Sequence, residues 1–241
     1  MNKKPKIALI SNTSNFFNFF ALNHIEHLSK NYDLFICCND PIDLKKKVPK
    51  NVSFVNLKFK RNISILNDIV SFLMTLFFFL KEKPILSISF TPKVGLIVAI
   101  VSFIAKTPVQ IHWFTGQVWA TKNGLSRIIL KYIDKIIFHL SDKILIDSIS
   151  QRKFLLKEKV VSKKKSFVLH KGSVGGVDLK KFKFKKKKRI QLRNKYSISK
   201  NTFVFLYLGR INKDKGIDDL INAFNKINKL FDVMLIFVGP V

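Results

Sequence analysis

Arg210 and Lys215 stand five residues apart in Tyr207-Leu208-Gly209-Arg210-Ile211-Asn212-Lys213-Asp214-Lys215-Gly216, between a run of strand character and a segment of helical periodicity. An arginine can grip a phosphate through two parallel N–H bonds, and a lysine adds a mobile point charge. The helix that follows offers free backbone N–H groups and the positive end of its dipole, which also favour phosphate. Ligands of open α/β sheets gather at the carboxyl ends of strands. These residues admit a diphosphate site. They equally admit an ordinary solvated loop, because Lys and Arg total 44 in this chain. Asp218 and Asp219 suit the helix dipole and would have to point away from a diphosphate.

Other reactive side chains carry less. His24 and His27 lie three apart on a Phe-rich helix with no matching carboxylates, so packing accounts for them and no metal site is expected. The adjacent Cys37 and Cys38 can neither staple a fold nor build a zinc site, and read as small buried hydrophobes. Trp113 and Trp119 either stack on a ligand or pack the loop between them. Lys180–Arg189 holds eight basic residues in ten, with Phe182 and Phe184 between them. Charges that dense repel one another and mark a solvated linker. Single-stranded nucleic acid would need a stacking platform that nothing here supplies, so nucleic acid is disfavoured as a partner.

The elements that must position these residues follow from apolar periodicity. Strands are expected at Lys6–Ile10, Leu34–Cys38, Val52–Leu57, Ile85–Ser89, Val109–Trp113, Ile144–Asp147 and Ser166–Leu169. Most are continuous apolar runs, the pattern of parallel strands covered on both faces. Leu125, Ile128, Ile129, Tyr132, Ile133, Ile136, Ile137 and Leu140 fall on one face of a helix that begins after Asn123-Gly124. Ile69–Leu80 and Val94–Ala105 are apolar over about twelve residues each; a membrane span needs about twenty, so both are expected as buried helices. The alternation predicts a Rossmann-like, doubly wound parallel α/β domain over residues 1–175. A basic linker over 176–200 and one βαβ unit over 201–241 (Phe203–Leu208, Ile217–Leu230, Val233–Val238) follow. About forty residues cannot bury two parallel strands on both faces, so this unit is expected to be the start of an incomplete second domain.

Composition agrees with a folded protein. The 241 residues are 47% hydrophobic, which excludes a disordered chain, and 9 Gly with 7 Pro exclude a collagenous one. Basic residues exceed Asp and Glu (15) so far that the formal charge is +29. Lys, Asn, Ile and Phe are over-used together and share A/T-rich codons, so genome composition is one source of the charge; attraction to phosphates or an anionic membrane is the other. Ile7–Ile10 is too short for the apolar core of a secretory leader, so a cytoplasmic location is expected.

Four ordered segments resemble GT-B glycosyltransferases of family 4, of the type that builds capsule and lipid-linked oligosaccharides. Tyr207–Gly216 is similar to their strand-GR-x4-KG-helix segment. Ser87-Ile88-Ser89-Phe90-Thr91-Pro92-Lys93-Val94-Gly95-Leu96 is similar to an H-T-P-K-x-G-L turn, with Ser89 where histidine is common. Ile111-His112-Trp113-Phe114-Thr115-Gly116-Gln117-Val118-Trp119 resembles an H-x-x-T-G-Q-x-W stretch. Lys171–Phe182 resembles a G-S-x-x-G-V-D-x-x-x-F segment that leads into the carboxy-terminal lobe.

The resemblance implies a retaining transferase of GT-B type that moves a sugar from a nucleotide-sugar donor to a lipid-linked or polysaccharide acceptor in cell-surface glycan synthesis, without a metal. It implies Arg210 and Lys215 on the donor diphosphate and His112 at the mouth of the cleft, touching the donor sugar; by its position alone His112 reads equally as a partly buried strand-end histidine. Thr115, Gly116 and Gln117 would line the acceptor side. The first loop, Ser11-Asn12-Thr13-Ser14-Asn15, lacks the glycine pair of many members and leaves Asn12 and Ser14 as hydrogen-bonding groups beside the donor. The helix with Phe16, Phe17, Phe19 and Phe20 lies where members receive the acceptor, although core packing is expected for at least two of the four. A peripheral place on the inner face of the membrane follows, with anionic lipid as partner. The paired glutamates that hold donor sugar and ribose in the family have no counterpart before Val241, so the rest of the donor lobe would come from further residues or a separate chain. The rival expectation is a truncated remnant that transfers nothing.

Overall fold

Each of the seven apolar runs becomes a strand of one wholly parallel sheet. The computed structural model describes residues 4–60, 62 and 64–240, and the chain divides into two units, Met1–Val177 and Asp178–Val241. The first unit holds β1 (Lys6–Thr13), β2 (Asp33–Asn39), β3 (Ser53–Val55), β4 (Leu86–Ser89), β5 (Val109–Phe114), β6 (Lys143–Ile146) and β7 (Ser166–Phe167) in the order β3-β2-β1-β4-β5-β6-β7. β1 lies between β2 and β4, so the connections leave its two sides in opposite directions and open a crevice at the carboxyl ends.

Helices cover both faces. On one face α1 (Ser14–Phe16), a π-helical turn (Phe17–Ala21) and α2 (Leu22–Leu28) bring Phe17, Ala21 and Ile25 against Ile7, Leu9, Leu34 and Ile36. The single turn α3 (Ile42–Lys45) adds Leu44 to the same cluster. On the other face α4 (Ile65–Glu82) and α5 (Pro92–Ile104) set Phe78, Phe79, Val94 and Val98 on Ala8, Ile10 and Cys37. Farther along the sheet, α6 (Gly124–Leu140) and α7 (Ile149–Lys157) pack Ile137, Phe138 and Leu155 with Phe114, Ile144 and Ile146. Strand alternation sends Cys37 into one layer and Cys38 into the other. Burial raises both thiols, Cys38 to about 12, so they pack as unreactive hydrophobes. Of the four phenylalanines after the first loop, Phe17 is buried and Phe16 packs on Phe90 at 4.5 Å, while Phe19 and Phe20 are exposed.

One expectation about burial needs correction. Val94–Ala105 is buried over most of its length, but Ile69–Leu80 is not a buried helix: its outward positions face solvent. The stripe of α6 is buried only toward its carboxyl end; Leu125, Ile128, Ile129 and Tyr132 are exposed. Periodicity reports that a helix has an apolar face, not what covers it.

The second unit contains α8 (Lys186–Lys195), β8 (Phe203–Leu208), α9 (Ile217–Ile227) and β9 (Val233–Val238). The basic stretch expected as a linker thus carries a helix, consistent with the good helix propensity of Lys, Arg, Gln and Leu, and no residue of it is buried. β8 and β9 pair in parallel, Phe203 with Val233 through Leu208 with Val238. α9 covers one side through Phe224, whose ring meets Phe205 at 6.2 Å. On the other side Leu206 and Leu208 remain at least 65% exposed, so this strand pair has an uncovered apolar face.

Candidate functional site

The crevice at the switch point of the first unit opens into a cavity of about 640 Å³. Asn12, from the end of β1, and Thr91, Pro92 and Lys93, which open α5, form its sheet edge. Leu96 and Ile97 of α5, Leu130 and Ile133 of α6, Val118 and Trp119 form largely apolar walls. Its polar side chains are few: Asn12, Asn62, Thr91, the Lys93–Asp68 ion pair and Asp134. Pro92 at the first helical position fixes the start of α5, and Thr91, in extended conformation, directs the chain into it.

Asp134 is the group that sequence reasoning missed. It is 2% exposed, and one carboxylate oxygen accepts the Trp119 indole N–H at 2.7 Å. The same indole stacks on Phe154 (centroids 5.3 Å apart) and lies beneath the cations of Arg127 and Lys131, which both reach Glu158. No cation pairs directly with Asp134 among the described residues, and burial pushes its carboxyl up to about 6, partly offset by the indole bond. The signal was present: Asp134 interrupts the apolar spacing Leu130, Ile133, Ile137 on the inward side of α6. A carboxyl that is harder to ionise in the folded state contributes stability below its unfolded value of 3.8, and loses it as pH rises through about 6. Asp134→Asn keeps an acceptor for Trp119 and removes the charge. It is expected to raise stability at pH 8 by about 1–3 kcal/mol and to leave it unchanged near pH 4. Urea unfolding at the two pH values checks this; equal midpoints for both proteins at pH 8 would refute it.

His112 does not stand at the cleft mouth. β5 runs two residues farther, to Phe114, and His112 is paired across the sheet with Ser89 in the buried centre. It is 0% exposed, with Nδ1 hydrogen-bonded to Ser89 Oγ at 2.8 Å. Its ring lies so close to Gly95 that a Cβ there would meet His112 Cε1 at 2.3 Å. Two of the quoted segments therefore meet in one buried contact, with Ser89 and Gly95 from one and His112 from the other. Its ring has no solvent access in this structure, and its contacts tie β4, β5 and α5 together. Trp113 and Trp119 are buried as well and pack, the former donating its indole N–H to Asp147 at 2.9 Å.

The other expected residues divide. Asn12 lines the cavity, whereas Ser14 is buried at the start of α1. Thr115 and Gly116 are exposed beside the cavity, whose wall is made by the next residues, Val118 and Trp119; Gln117 accepts a bond from Gln151 Nε2 at 2.9 Å. The Lys171–Phe182 segment earns its glycines: Gly172 has φ +98°, and a Cβ there would lie 2.1 Å from the Asp147 carbonyl oxygen. His24, half-buried, bonds the Val174 carbonyl through Nε2 at 2.7 Å and so fastens this segment to α2.

Arg210 and Lys215 lie in the second unit, both exposed. Their loop is fixed by backbone: Gly209 N–H donates to Val238 O at 3.0 Å, Ile211 N–H to Pro240 O at 2.9 Å, and Tyr207 Oη to Arg210 O at 2.8 Å. A side chain at Gly239 would collide with the Gly209 carbonyl oxygen. Gly216, at φ +70°, turns the chain into α9 and leaves the helix N-terminus open. Neither cation takes part in an ion pair among the described residues.

No protein-family model matches the chain. Anabaena Alr3699/HepE in complex with UDP-glucose superposes with a TM-score of 0.71 at 16% identity, covering 98% of this chain and 60% of that one. Sucrose-phosphate synthase from Thermosynechococcus elongatus gives 0.69 at 15%, covering 98% and 62%. Such likeness shows the fold, which is the expected Rossmann-like parallel α/β architecture of GT-B type. In sequence, the chain is 34% identical over 212 residues to the capsular polysaccharide biosynthesis glycosyltransferase CapM of Staphylococcus aureus, covering 87% of this chain and 54% of that protein, so it spans about half the length of this relative.

Proposed function

We propose that this chain is the acceptor lobe and the beginning of the donor lobe of a retaining family 4 glycosyltransferase of capsule or cell-surface glycan synthesis. The likeness to CapM over most of the chain carries this reading. The donor is a nucleotide-sugar, as the UDP-glucose held by HepE suggests. The mostly apolar cavity beside Asn12, Lys93 and Asp134 suits the acceptor, a saccharide on a lipid or a growing polysaccharide. As the bond between the anomeric carbon and the diphosphate breaks, negative charge develops on the diphosphate. Arg210 and Lys215, with the open end of α9, stabilise it there without a metal. Further strands and helices of the donor lobe, from the same or a second chain, cover the exposed face of β8 and β9. The enzyme works at the inner membrane surface, to which its charge of +29 draws it.

The test replaces the matched segment of CapM with this chain and measures transfer of labelled sugar from nucleotide-sugars to lipid-extractable product in membranes. Transfer by the folded chimera is expected. A folded chimera that transfers nothing from any nucleotide-sugar would sink the proposal.

A further inference from the structure

α4 exposes an apolar line that a helix in water would not. Its inward line carries Phe78 and Phe79 in the core, together with Ser71 and Thr75, both 0% exposed. The Thr75 hydroxyl bonds the Ser71 carbonyl at 2.6 Å, and Ser71 Oγ finds no partner among the described residues. The outward line carries Leu66, Ile69, Leu73, Phe77 and Leu80, between 51% and 79% exposed. A solvent-facing amphipathic helix keeps such an outward line polar. α5 packs against α4 on one side and α6 on the other. The exposed Leu125, Ile128, Ile129 and Tyr132 of α6 therefore extend the patch across one helical layer. Apolar surface gathered to this degree marks an interaction site.

Charge selects the partner. Lys81 and Lys83 flank the carboxyl end of α4, Lys106 follows α5, and Lys122 precedes α6; all are exposed, and none enters an ion pair among the described residues. The acids of α4 are already neutralised, Asp68 by Lys93 and Glu82 by Lys6. An apolar face ringed by free lysines complements anionic headgroups above acyl chains. It does not complement a second copy of a +29 chain, whose own lysines would meet it. No helix among the described residues is long and apolar enough to cross a membrane, so the contact is one of lying on it.

We propose that the outer face of α4 and α6 docks on an anionic phospholipid bilayer, with α4 in the plane of the interface. This rests on the membrane location proposed above and names the surface that makes it. The test is co-sedimentation with vesicles containing phosphatidylglycerol, at low salt and at about 1 M, where the Debye length falls to about 3 Å. Wild type is expected to keep a salt-resistant fraction. Leu66→Gln/Leu73→Gln/Phe77→Gln should weaken that fraction roughly 100-fold, with an unchanged melting curve because all three side chains are exposed. Replacing Lys185–Arg189 by Gln should lower only the salt-sensitive part. In Phe77→Trp, brominated acyl chains should quench the new indole. Wild-type binding by the triple variant, or an unquenched Trp at position 77, overturns the proposal. So does a triple variant that loses self-association rather than vesicle binding, which would give the face to a second copy. Failure of wild type to bind any vesicle would remove the membrane location itself, a result distinguishable from the others and independent of sugar transfer.

Discussion

Arg210→Ala and Lys215→Ala, introduced into the chimera with CapM, are each expected to slow sugar transfer about 10²-fold or more, with no change in thermal unfolding. Removing one preorganised charge from the place where negative charge develops commonly has an effect of this size. The loop is suited to preorganisation. Its backbone is bonded to the end of β9 at Val238 and Pro240, and the Tyr207 hydroxyl holds the Arg210 carbonyl. The two side chains are exposed and unpaired among the described residues, so truncating them removes no packing and breaks no ion pair. The loss should fall mainly on kcat, because the diphosphate gains charge as the sugar leaves. Lys213→Ala is the control: Lys213 is exposed one turn away, and its loss alters general charge alone. Near-normal turnover in both Arg210→Ala and Lys215→Ala removes the phosphate role, and equal losses in all three reduce it to nonspecific attraction.

The central strands were legible because they are buried on both faces and therefore appear as unbroken apolar runs; β8 and β9 are as apolar, and match their expected bounds residue for residue, although one face of the pair is uncovered. α7 was harder to see. Its apolar residues do not segregate, and only Leu155 is buried. The π-helical turn Phe17–Ala21 inserts a wider turn between two α-helical pieces, which a 3.6-residue period does not register. The orientation of α4 was not legible either. An apolar run reads as core until the structure places Ser71 and Thr75 inside and Leu73 and Phe77 outside. At the site, sequence identified the loops but not the roles. The resemblance puts His112 at the mouth of the cleft, whereas pairing with Ser89 sets its ring inside the sheet. Asp134 went unnoticed because one acidic residue in a helix passes for surface until its neighbours are known to be inside.

Acid is expected to destabilise the first unit through His112, in opposition to Asp134. His112 is wholly buried, its Nδ1 is held by Ser89, and its Nε2 has no partner among the described residues. Burial lowers its pKa from 6.5 to about 3. Because the folded value lies below the unfolded one, the unfolded chain takes up the proton first. The stability that His112 contributes is therefore present above pH 6.5 and lost as pH falls toward 3, up to about 5 kcal/mol in all. Over part of that window Asp134 has the opposite slope, gaining stability as pH falls from about 6 to 3.8. The two slopes partly cancel down to about pH 4, and below it the loss from His112 is unopposed. Asp134→Asn should remove the compensation, so its stability falls more steeply than wild type's between about pH 6 and 4 and the two curves meet near pH 4. Ser89→Ala/His112→Leu, which removes ring and hydroxyl together, should flatten the acid limb. Gly95→Ala supplies a geometric check: its methyl would lie 2.3 Å from His112 Cε1, and a clash with a packed ring costs about 1–3 kcal/mol. His112→Ala vacates that space, so the double variant should be more stable than the two single losses summed. Parallel stability–pH curves for wild type and Ser89→Ala/His112→Leu, together with additive losses for Gly95→Ala and His112→Ala, would show that the buried ring neither titrates nor fills the space against α5.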